Sequence, residues 1–353
     1  MTILGIDTSC DDTCISVLEV KNEQVPRRRE KRFNLISNNI SSQVKLHAKY
    51  GGVYPFLAKR EHQKNLPAVF KKTLRQTQGK QIDLIAVTVG PGLEPCLWQG
   101  INFAVELAKK NKKPLILVNH IEAHILANFI GGEIKNCFPA ICLVVSGGHT
   151  QLILMRDVGK YKLLGETRDD AAGECFDKAA RILGLGYPGG PIVAKMAKFN
   201  PSIDGQELKF QIKLPRPMIY QKNYDFSFSG LKTAVLYDFK NRSLKVRKTK
   251  EYIGEISKEV QQSIIDVLIH KTLKTAKDYR VKSIILGGGV AANEELRKQF
   301  KEKIQKEIPN TKYIIPDTKY CTDNAAMVAT TAYFHRKENF NLQQIKADAN
   351  LRV

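Results

Sequence analysis

The chain has no Cys-x-x-Cys pair: its seven cysteines stand at 10, 14, 96, 137, 142, 175 and 321. An odd number so spaced excludes a disulfide framework and a zinc knuckle and suits a reducing compartment. No apolar run approaches the roughly 18 residues of a membrane span. The opening Met1-Thr-Ile-Leu-Gly starts a strand pattern rather than a charged-then-apolar leader, so a cytoplasmic chain with no membrane partner is expected. Acid is scarce as well, with 35 Asp plus Glu against 56 Lys plus Arg and a net charge of +21. That excess exceeds what solubility needs and points to a polyanionic partner, nucleic acid in particular. At 353 residues the chain is too long for one ordinary core, so two domains or a duplicated fold is expected.

What the sequence does have is organised around Asn119-His120-Ile121-Glu122-Ala123-His124, which follows the apolar run Leu115 to Val118. If that run is a buried strand and the histidines open the next helix, the i,i+4 spacing puts both imidazoles on one face. Two such imidazoles can share a metal and leave room for a carboxylate and a substrate; equally, they can be two partly buried histidines near a helix end. Helical zinc proteases place Glu directly after the first His, whereas Ile121 stands there and Glu122 comes one place late.

Read in order, Ile3 to Ile6, Cys14 to Val20 and Arg32 to Ser37 are expected strands. The turn Asp7-Thr8-Ser9-Cys10-Asp11-Asp12-Thr13 joins the first two. Its hydroxyls and amides can hold a phosphate, and Asp11 and Asp12 a metal, a water or a proton; an ordinary Asx-rich turn is the plain alternative. The connection Lys21 to Lys31 carries Arg27-Arg28-Arg29, a solvated tip or a contact for the polyanion. Gln43 to Pro55 reads as a loop, followed by a helix on Leu66, Val69, Phe70, Thr73 and Leu74. A buried strand Ile82 to Val89 ends in Gly90-Pro91-Gly92 before a helix from about Leu97 to Lys110, where ligands sit in open α/β sheets.

The plan then repeats. Ala140 to Val145, the tight turn Ser146-Gly147-Gly148-His149-Thr150, and Gln151 to Met155 match the first strand–turn–strand device, and Tyr161 to Thr167 supplies the third strand. Asp177 and Lys178 fall in a helix Cys175 to Leu183, either as a surface ion pair or with Asp177 facing a ribose. Phe199 to Tyr224 reads as an irregular insertion, Phe226 to Thr233 opens a helix with hydroxyl caps, and Lys240 to Lys250 forms a second basic run. A long core helix ends near Tyr279, and the strand Ser283 to Leu286 leads into Gly287-Gly288-Gly289-Val290-Ala291-Ala292-Asn293. Glycines there suit a flat ring lying on the backbone. After the strand Tyr313 to Ile315, Asp323 is either a helix N-cap or a carboxylate ligand.

In number and order these stretches resemble the universal tRNA threonylcarbamoyladenosine synthase family, known as TsaD in bacteria and once called glycoprotease. The resemblance runs nearly end to end through Gly5-Ile6-Asp7-Thr8-Ser9-Cys10-Asp11, His120-x-x-x-His124, Val145 to Thr150, Asp169 to Glu174, Phe176-Asp177-Lys178, Tyr187 to Pro191, Phe226 to Lys232, Gly287 to Asn293 and Thr322-Asp323-Asn324. It implies a duplicated actin/Hsp70-like, ribonuclease H-like α/β fold of two domains around a central cleft. Residues 1–135 form the first half, and 136–353 the second with a helical insertion over about 190–280, the last helix packing back on the first half.

The resemblance also implies metal ligands His120, His124 and Asp323 for one divalent ion, iron or else zinc. It implies nucleotide contacts at Val144, Val145, Ser146, Gly147, Gly148, Asp177, Gly190 and Asn293. The activity implied is transfer of threonylcarbamoyl from threonylcarbamoyl-AMP to the exocyclic amine of the adenosine beside the anticodon, in tRNAs reading codons that start with A. The implied partners are tRNA, a TsaB-like paralogous subunit and a TsaE-like P-loop ATPase. Adenine's amine is a poor nucleophile, so Asp11, with Asp12 beside it, is the candidate for orienting or deprotonating it. The chain departs from the family pattern at Asp12 and Phe56, where Glu is usual. Rival readings are a kinase or chaperone ATPase on the same fold, which needs Mg²⁺ on carboxylates, a metalloprotease, and a non-catalytic nucleic-acid binder.

Overall fold

The computed structural model describes residues 1–353 except 26, 27, 131–135, 200, 201, 204, 205, 208–210, 339, 341 and 343; of 22–25, 28–31, 202, 203, 206 and 207 it describes the backbone alone. The chain divides into two compact units, Met1–Asn136 with Ile315–Val353, and Cys137–Ile314.

The first unit runs β1 (Thr2–Asp7), β2 (Asp12–Val25), β3 (Arg28–Ser42), α1 (Val44–His47), α2 (Pro55–Gln76), β4 (Leu84–Gly90), α3 (Glu94–Asn111), β5 (Leu115–Asn119) and α4 (His120–Leu126). The second runs β6 (Ala140–Val145), β7 (Thr150–Asp157), β8 (Lys160–Glu166), α5 (Ala172–Ile182), α6 (Gly189–Ala197), the two-residue strands β9 (Ser202–Ile203) and β10 (Gln206–Glu207), α7 (Ser229–Asn241), α8 (Leu244–Arg247), α9 (Lys250–Asp278), β11 (Ser283–Gly287), α10 (Glu294–Glu307) and β12 (Lys312–Ile314). The last helix, α11 (Ala325–His335), belongs to the first unit.

The sheets repeat one plan. Strand order is β3-β2-β1-β4-β5 in the first unit, and β8-β7-β6-β11-β12 in the second when read from the matching edge. In each, the first three strands are antiparallel neighbours and the last two join in parallel. Parallel strands covered on both faces need unbroken apolar runs, and β1, β4, β6 and β11 are buried along their whole length. Along β1, Leu4 and Ile6 pack with Leu66, Leu97 and Ile101 from α2 and α3. The alternate residue Ile3 packs with Met327, Val328 and Ala332 of α11 on the other face.

Two expectations are corrected. The ladder between β2 and β3 continues to Val25 and Arg28, so Lys21 to Lys31 is mostly strand rather than a loop. Cross-strand hydrogen bonds alone sustain a polar hairpin, which an apolar periodicity cannot reveal. Arg27 and the side chains of Arg28 and Arg29 lie outside the described residues. Second, the start of α7 has no side-chain cap from its own hydroxyls. The remote Asp169 accepts instead from Phe228 N at 2.8 Å and Ser229 N at 3.2 Å, and from the hydroxyls of Ser227 and Ser229, both at 2.6 Å. The carboxylate supplies the negative charge that a helix N-terminus favours.

Gly5 fixes how closely α11 approaches the sheet. A Cβ at that position would lie 2.4 Å from Ala325 O and 2.9 Å from Ala329 N, both backbone atoms. Gly5→Ala therefore pushes the first turn of α11 off β1. The expected cost is about 1–3 kcal/mol in urea unfolding, with a wild-type midpoint ruling out this tight packing.

Candidate functional site

In the first unit, α4 starts where β5 ends. Asn119 caps it, its Oδ1 accepting from Ile121 N at 2.8 Å and Glu122 N at 3.2 Å. The cap sets the helix phase that brings His120 and His124 together, ring centroids 4.6 Å apart and 78° between planes. Asp323 stands just before α11, and Asn324 rather than Asp323 is the N-cap, accepting from Met327 N at 3.1 Å. Freed from capping, Asp323 places Oδ1 3.5 Å from His120 Nε2 and 3.2 Å from His124 Nε2. One ligand atom from each of the three residues lies within 4.8 Å of the others.

Both imidazoles are buried, and His124 Nδ1 and Nε2 and His120 Nδ1 lack a hydrogen-bond partner. Leaving buried polar nitrogens unpartnered is costly; a cation beside Asp323 would take one nitrogen from each ring, the unpartnered His124 Nε2 among them, in a donor set suited to iron or zinc. The three residues thus fit a metal ion. Without one, burial disfavours charge on all three. The carboxylates of Asp7 and Asp323 nonetheless lift His120, burial and the His120 charge lower His124, and the two imidazoles hold Asp323 well below the usual carboxylate range.

Asp7, at the end of β1, was not singled out as a ligand or catalytic group by the sequence. Its Oδ1 accepts from Ser9 N at 3.0 Å, while its buried Oδ2 lies 3.4 Å from His120 Nδ1. A carboxylate behind an imidazole orients the ring so that its other nitrogen faces a ligand. No local spacing signals this, because 112 residues separate Asp7 from His120 and only the fold joins them.

The Asp7–Asp12 turn is tied down from several sides. Thr8 Oγ1 donates to Cys96 O at 2.9 Å and accepts from Gly100 N at 3.1 Å on α3, and Leu93 N donates to Ser9 O at 2.8 Å. His62 on α2 meets Cys10 O at 3.0 Å through Nε2 and Thr13 Oγ1 at 2.8 Å through Nδ1. Asp11 and Asp12 each keep one buried oxygen without a hydrogen-bond partner. Burial, followed by the nearby Asp323 charge, raises Asp11. Burial raises Asp12 to about 7, aided by the charges of Asp11, Asp323 and Asp7 and opposed by a hydrogen bond from Ser42.

In the second unit, Val144 and Val145 end β6. The following turn is closed by Ser146 N to His149 O at 2.8 Å and His149 N to Ser146 Oγ at 3.1 Å. A Cβ at Gly147 or Gly148 would meet nothing within 4 Å, so this turn presents open backbone. Gly288, at φ +88°, lies so close that a Cβ there would be 2.3 Å from Val145 O. The turn after β6 and the glycine turn after β11 are thereby brought together at the carboxyl ends of adjacent parallel strands.

Asp177 Oδ1 accepts from Gly189 N at 2.6 Å, tying α5 to the start of α6, where Gly190 lies. Lys178 bonds Asp170 at 2.6 Å and Glu174 at 2.9 Å. Asn293 caps α10 through Leu296 N at 3.0 Å and donates to Gln261 Oε1 at 2.9 Å, so its amide is engaged within the protein. In the 240–250 run, Arg242 pairs with Asp238 at 2.9 Å and Arg247 bonds Arg242 O at 2.8 Å. Lys240, Lys245, Lys248 and Lys250 remain exposed.

The architecture is the duplicated actin/Hsp70-like α/β fold. A solved structure of full-length HypF in the phosphate- and nucleotide-bound form shares it, with TM-score 0.52 and 12% identity over 95% of this chain and 55% of that one. HypF of T. kodakarensis does likewise, with TM-score 0.52 and 14% identity over 95% and 47%. The chain thus spans about half of HypF, and at these identities the likeness concerns fold alone.

Sequence carries the assignment further. The model of the TsaD family, tRNA N6-adenosine threonylcarbamoyltransferase, matches residues 34–330. The protein of that name from Thermosipho africanus is 44% identical over 357 residues, covering 100% of both chains. The one from Persephonella marina is 45% identical over 344 residues, covering 96% of this chain and 91% of its own. The chain belongs to the tRNA N6-adenosine threonylcarbamoyltransferase family, a family of transferases.

The Asp12 shift sets a pH dependence. A carboxyl raised in the folded chain stabilises it below the unfolded value near 4 and loses that contribution as pH rises through about 7. In metal-free protein, Asp12→Asn should therefore gain stability relative to wild type between about pH 4 and pH 8, by about 2–4 kcal/mol. Denaturant titrations at the two pH values check this, and a pH-independent difference is the contrary result.

Proposed function

We propose that this chain transfers the threonylcarbamoyl group from threonylcarbamoyl-AMP to the exocyclic amine of the adenosine beside the anticodon, in tRNAs reading codons that start with A. The observation that carries the reading is the buried His120, His124 and Asp323 cluster with unpartnered imidazole nitrogens, in a chain of this family. Those three residues would hold one divalent ion. Two imidazoles and a carboxylate with open positions favour iron, with zinc as the alternative. When bound, such an ion supplies a Lewis acid able to polarise a carbonyl or phosphoryl oxygen.

The chain's own groups do the rest. Asp7 orients the His120 ring. Asp12, pushed up to about 7, suits a proton acceptor for the adenine amine at neutral pH, with Asp11 beside it to orient that amine. The open backbone of Gly147 and Gly148, presented by Val144, Val145 and Ser146 at the end of β6, holds the phosphate of the adenylate. Asp177 and Gly190, where α5 meets α6, receive the ribose, and Asn293 contributes through the turn it caps.

The net charge of +21 fits tRNA as substrate. Among the described residues no helix is long and apolar enough to cross a membrane. A TsaB-like paralogous subunit, a TsaE-like P-loop ATPase and a cytoplasmic setting complete the reading, on the strength of the family resemblance.

Nucleoside analysis of tRNA incubated with the chain, its partner subunits and threonylcarbamoyl-AMP tests the reaction. His120→Ala should abolish modification and bound metal while tRNA affinity stays within about twofold, and an unchanged modification rate rejects the reading. Asp7→Asn should lower metal affinity by about 10–100-fold, measured by competition with a chelator dye. Wild-type affinity would leave Asp7 without an orienting role.

A further inference from the structure

The segment joining β3 to α2 leaves three aromatic side chains outside the core: Tyr50 is 62% exposed, Tyr54 54% and Phe56 66%. Burying such rings is worth a great deal to a fold, so three exposed within seven residues is unusual for a chain that buries Phe176, Phe226, Phe228 and Phe300. Tyr50 and Tyr54 stand side by side in a tilted pair, centroids 6.0 Å apart and 32° between planes. Their backbone is built rather than loose. The 3-10 turn Ala48–Tyr50 ends at Gly51 with φ +67°, which reverses the chain, and Pro55 starts α2.

A chain of three hydrogen bonds joins this segment to the Asp7–Asp12 turn. Gln43 N donates to Asp11 O at 3.1 Å, Gln43 Oε1 meets the buried His47 Nε2 at 3.1 Å, and His47 Nδ1 accepts from Tyr54 N at 3.3 Å. The His47 ring is thereby fixed with its proton on Nε2, and Tyr54 is held in register with Asp11. Cations predominate along this stretch: residues 31–60 contain six Lys or Arg and no Asp or Glu, with Glu61 next in the chain and Asp11 and Glu61 both close enough to act on His47. Lys45, Lys49 and Arg60 in this stretch are exposed.

Exposed aromatics beside an excess of cations suit a single-stranded nucleic acid: its phosphates meet the cations and its unpaired bases lie on the rings. We propose that Tyr50, Tyr54 and Phe56 form a stacking platform for unpaired RNA bases flanking the adenosine that is modified. The proposal rests on the function given above and adds how the loop is gripped. Tyr54, linked through His47 and Gln43 to Asp11, sets the distance between the stacked neighbour and the group that orients the amine. The three residues act on substrate position rather than on the acyl group.

The test uses the full chain and a synthetic RNA hairpin whose loop carries 2-aminopurine beside the target adenosine, with no acyl donor present. Tyr50→Ala, Tyr54→Ala and Phe56→Ala should each weaken binding by about 5–150-fold, the loss expected per stacked base, and reduce the quenching of 2-aminopurine. Tyr50→Phe and Tyr54→Phe should bind like wild type, because the ring remains. Affinity for fully paired RNA of the same length should stay within about twofold. Stacking releases no counterions, so the salt slope should be unchanged in the Ala variants, whereas Lys45→Ala and Lys49→Ala should each reduce it by about 0.7–0.9.

Melting temperatures equal to wild type exclude misfolding as the cause of lost binding. Unchanged hairpin affinity and quenching in the three Ala variants overturn the proposal. So does a loss confined to self-association or partner-subunit capture, since the surface would then be a protein interface. Intact, ring-dependent hairpin binding by a chain that never modifies tRNA would count against the proposed reaction while leaving the platform standing.

Discussion

Close contact between α11 and β1 is the constraint on which the candidate metal cluster depends. Gly5 lets the backbone at Ala325 approach the strand without a side chain between them. The residues just before that helix, Asp323 among them, are consequently held beside α4. The same strand delivers Asp7 to the back of His120. A single strand thus positions one carboxylate by its end and another by what it allows to pack on its face. The cluster needs both, because two imidazoles on one short helix fix the direction of a site but not its depth.

The two units use one scaffold for different chemistry. After β1 the turn is acidic and hydroxylic, held by α2 and α3 through Thr8, Ser9 and His62, and it concentrates carboxylates whose burial favours the protonated form. After β6 the equivalent turn is glycine-rich, closed on itself by Ser146 and His149, and its backbone is open. A buried carboxyl near neutrality, such as Asp12, suits proton transfer, whereas an open glycine turn suits an anion.

Much of this was legible in the residue pattern, and what was not has physical reasons. Strands β1, β4, β6 and β11 are buried on both faces and announce themselves as apolar runs. The extension of β2 and β3 past Val20 and Arg32 does not, because paired backbone tolerates polar side chains. The i,i+4 histidines are a local signal, so their shared face could be read directly. The local pattern left Asp323 as either an N-cap or a ligand, and the resemblance alone favoured the second. Locally Asp323 competes with its neighbour for the N-cap, a role that Asn324 takes.

Asp7 and Asp169 act across the fold, one behind His120 and the other capping α7, and no periodicity encodes a contact between residues far apart in sequence. Asn293 shows the reverse. Its capping of α10 is a local signal of the kind that marks helix starts, and its side-chain carbonyl oxygen accepts from Leu296 N as that signal implies.

The first unit is assembled from two stretches of chain, with the whole of the second unit translated between them. At about 5–20 residues per second, His120 and His124 are synthesised roughly 10–40 s before Asp323. A nascent chain therefore carries a two-imidazole half-site throughout synthesis of the second unit, and a truncated product keeps that half-site permanently. Under the proposed ligand set, tight metal retention would report a chain translated at least as far as α11, and metallation would be a late event in biogenesis that separates finished molecules from prematurely terminated ones.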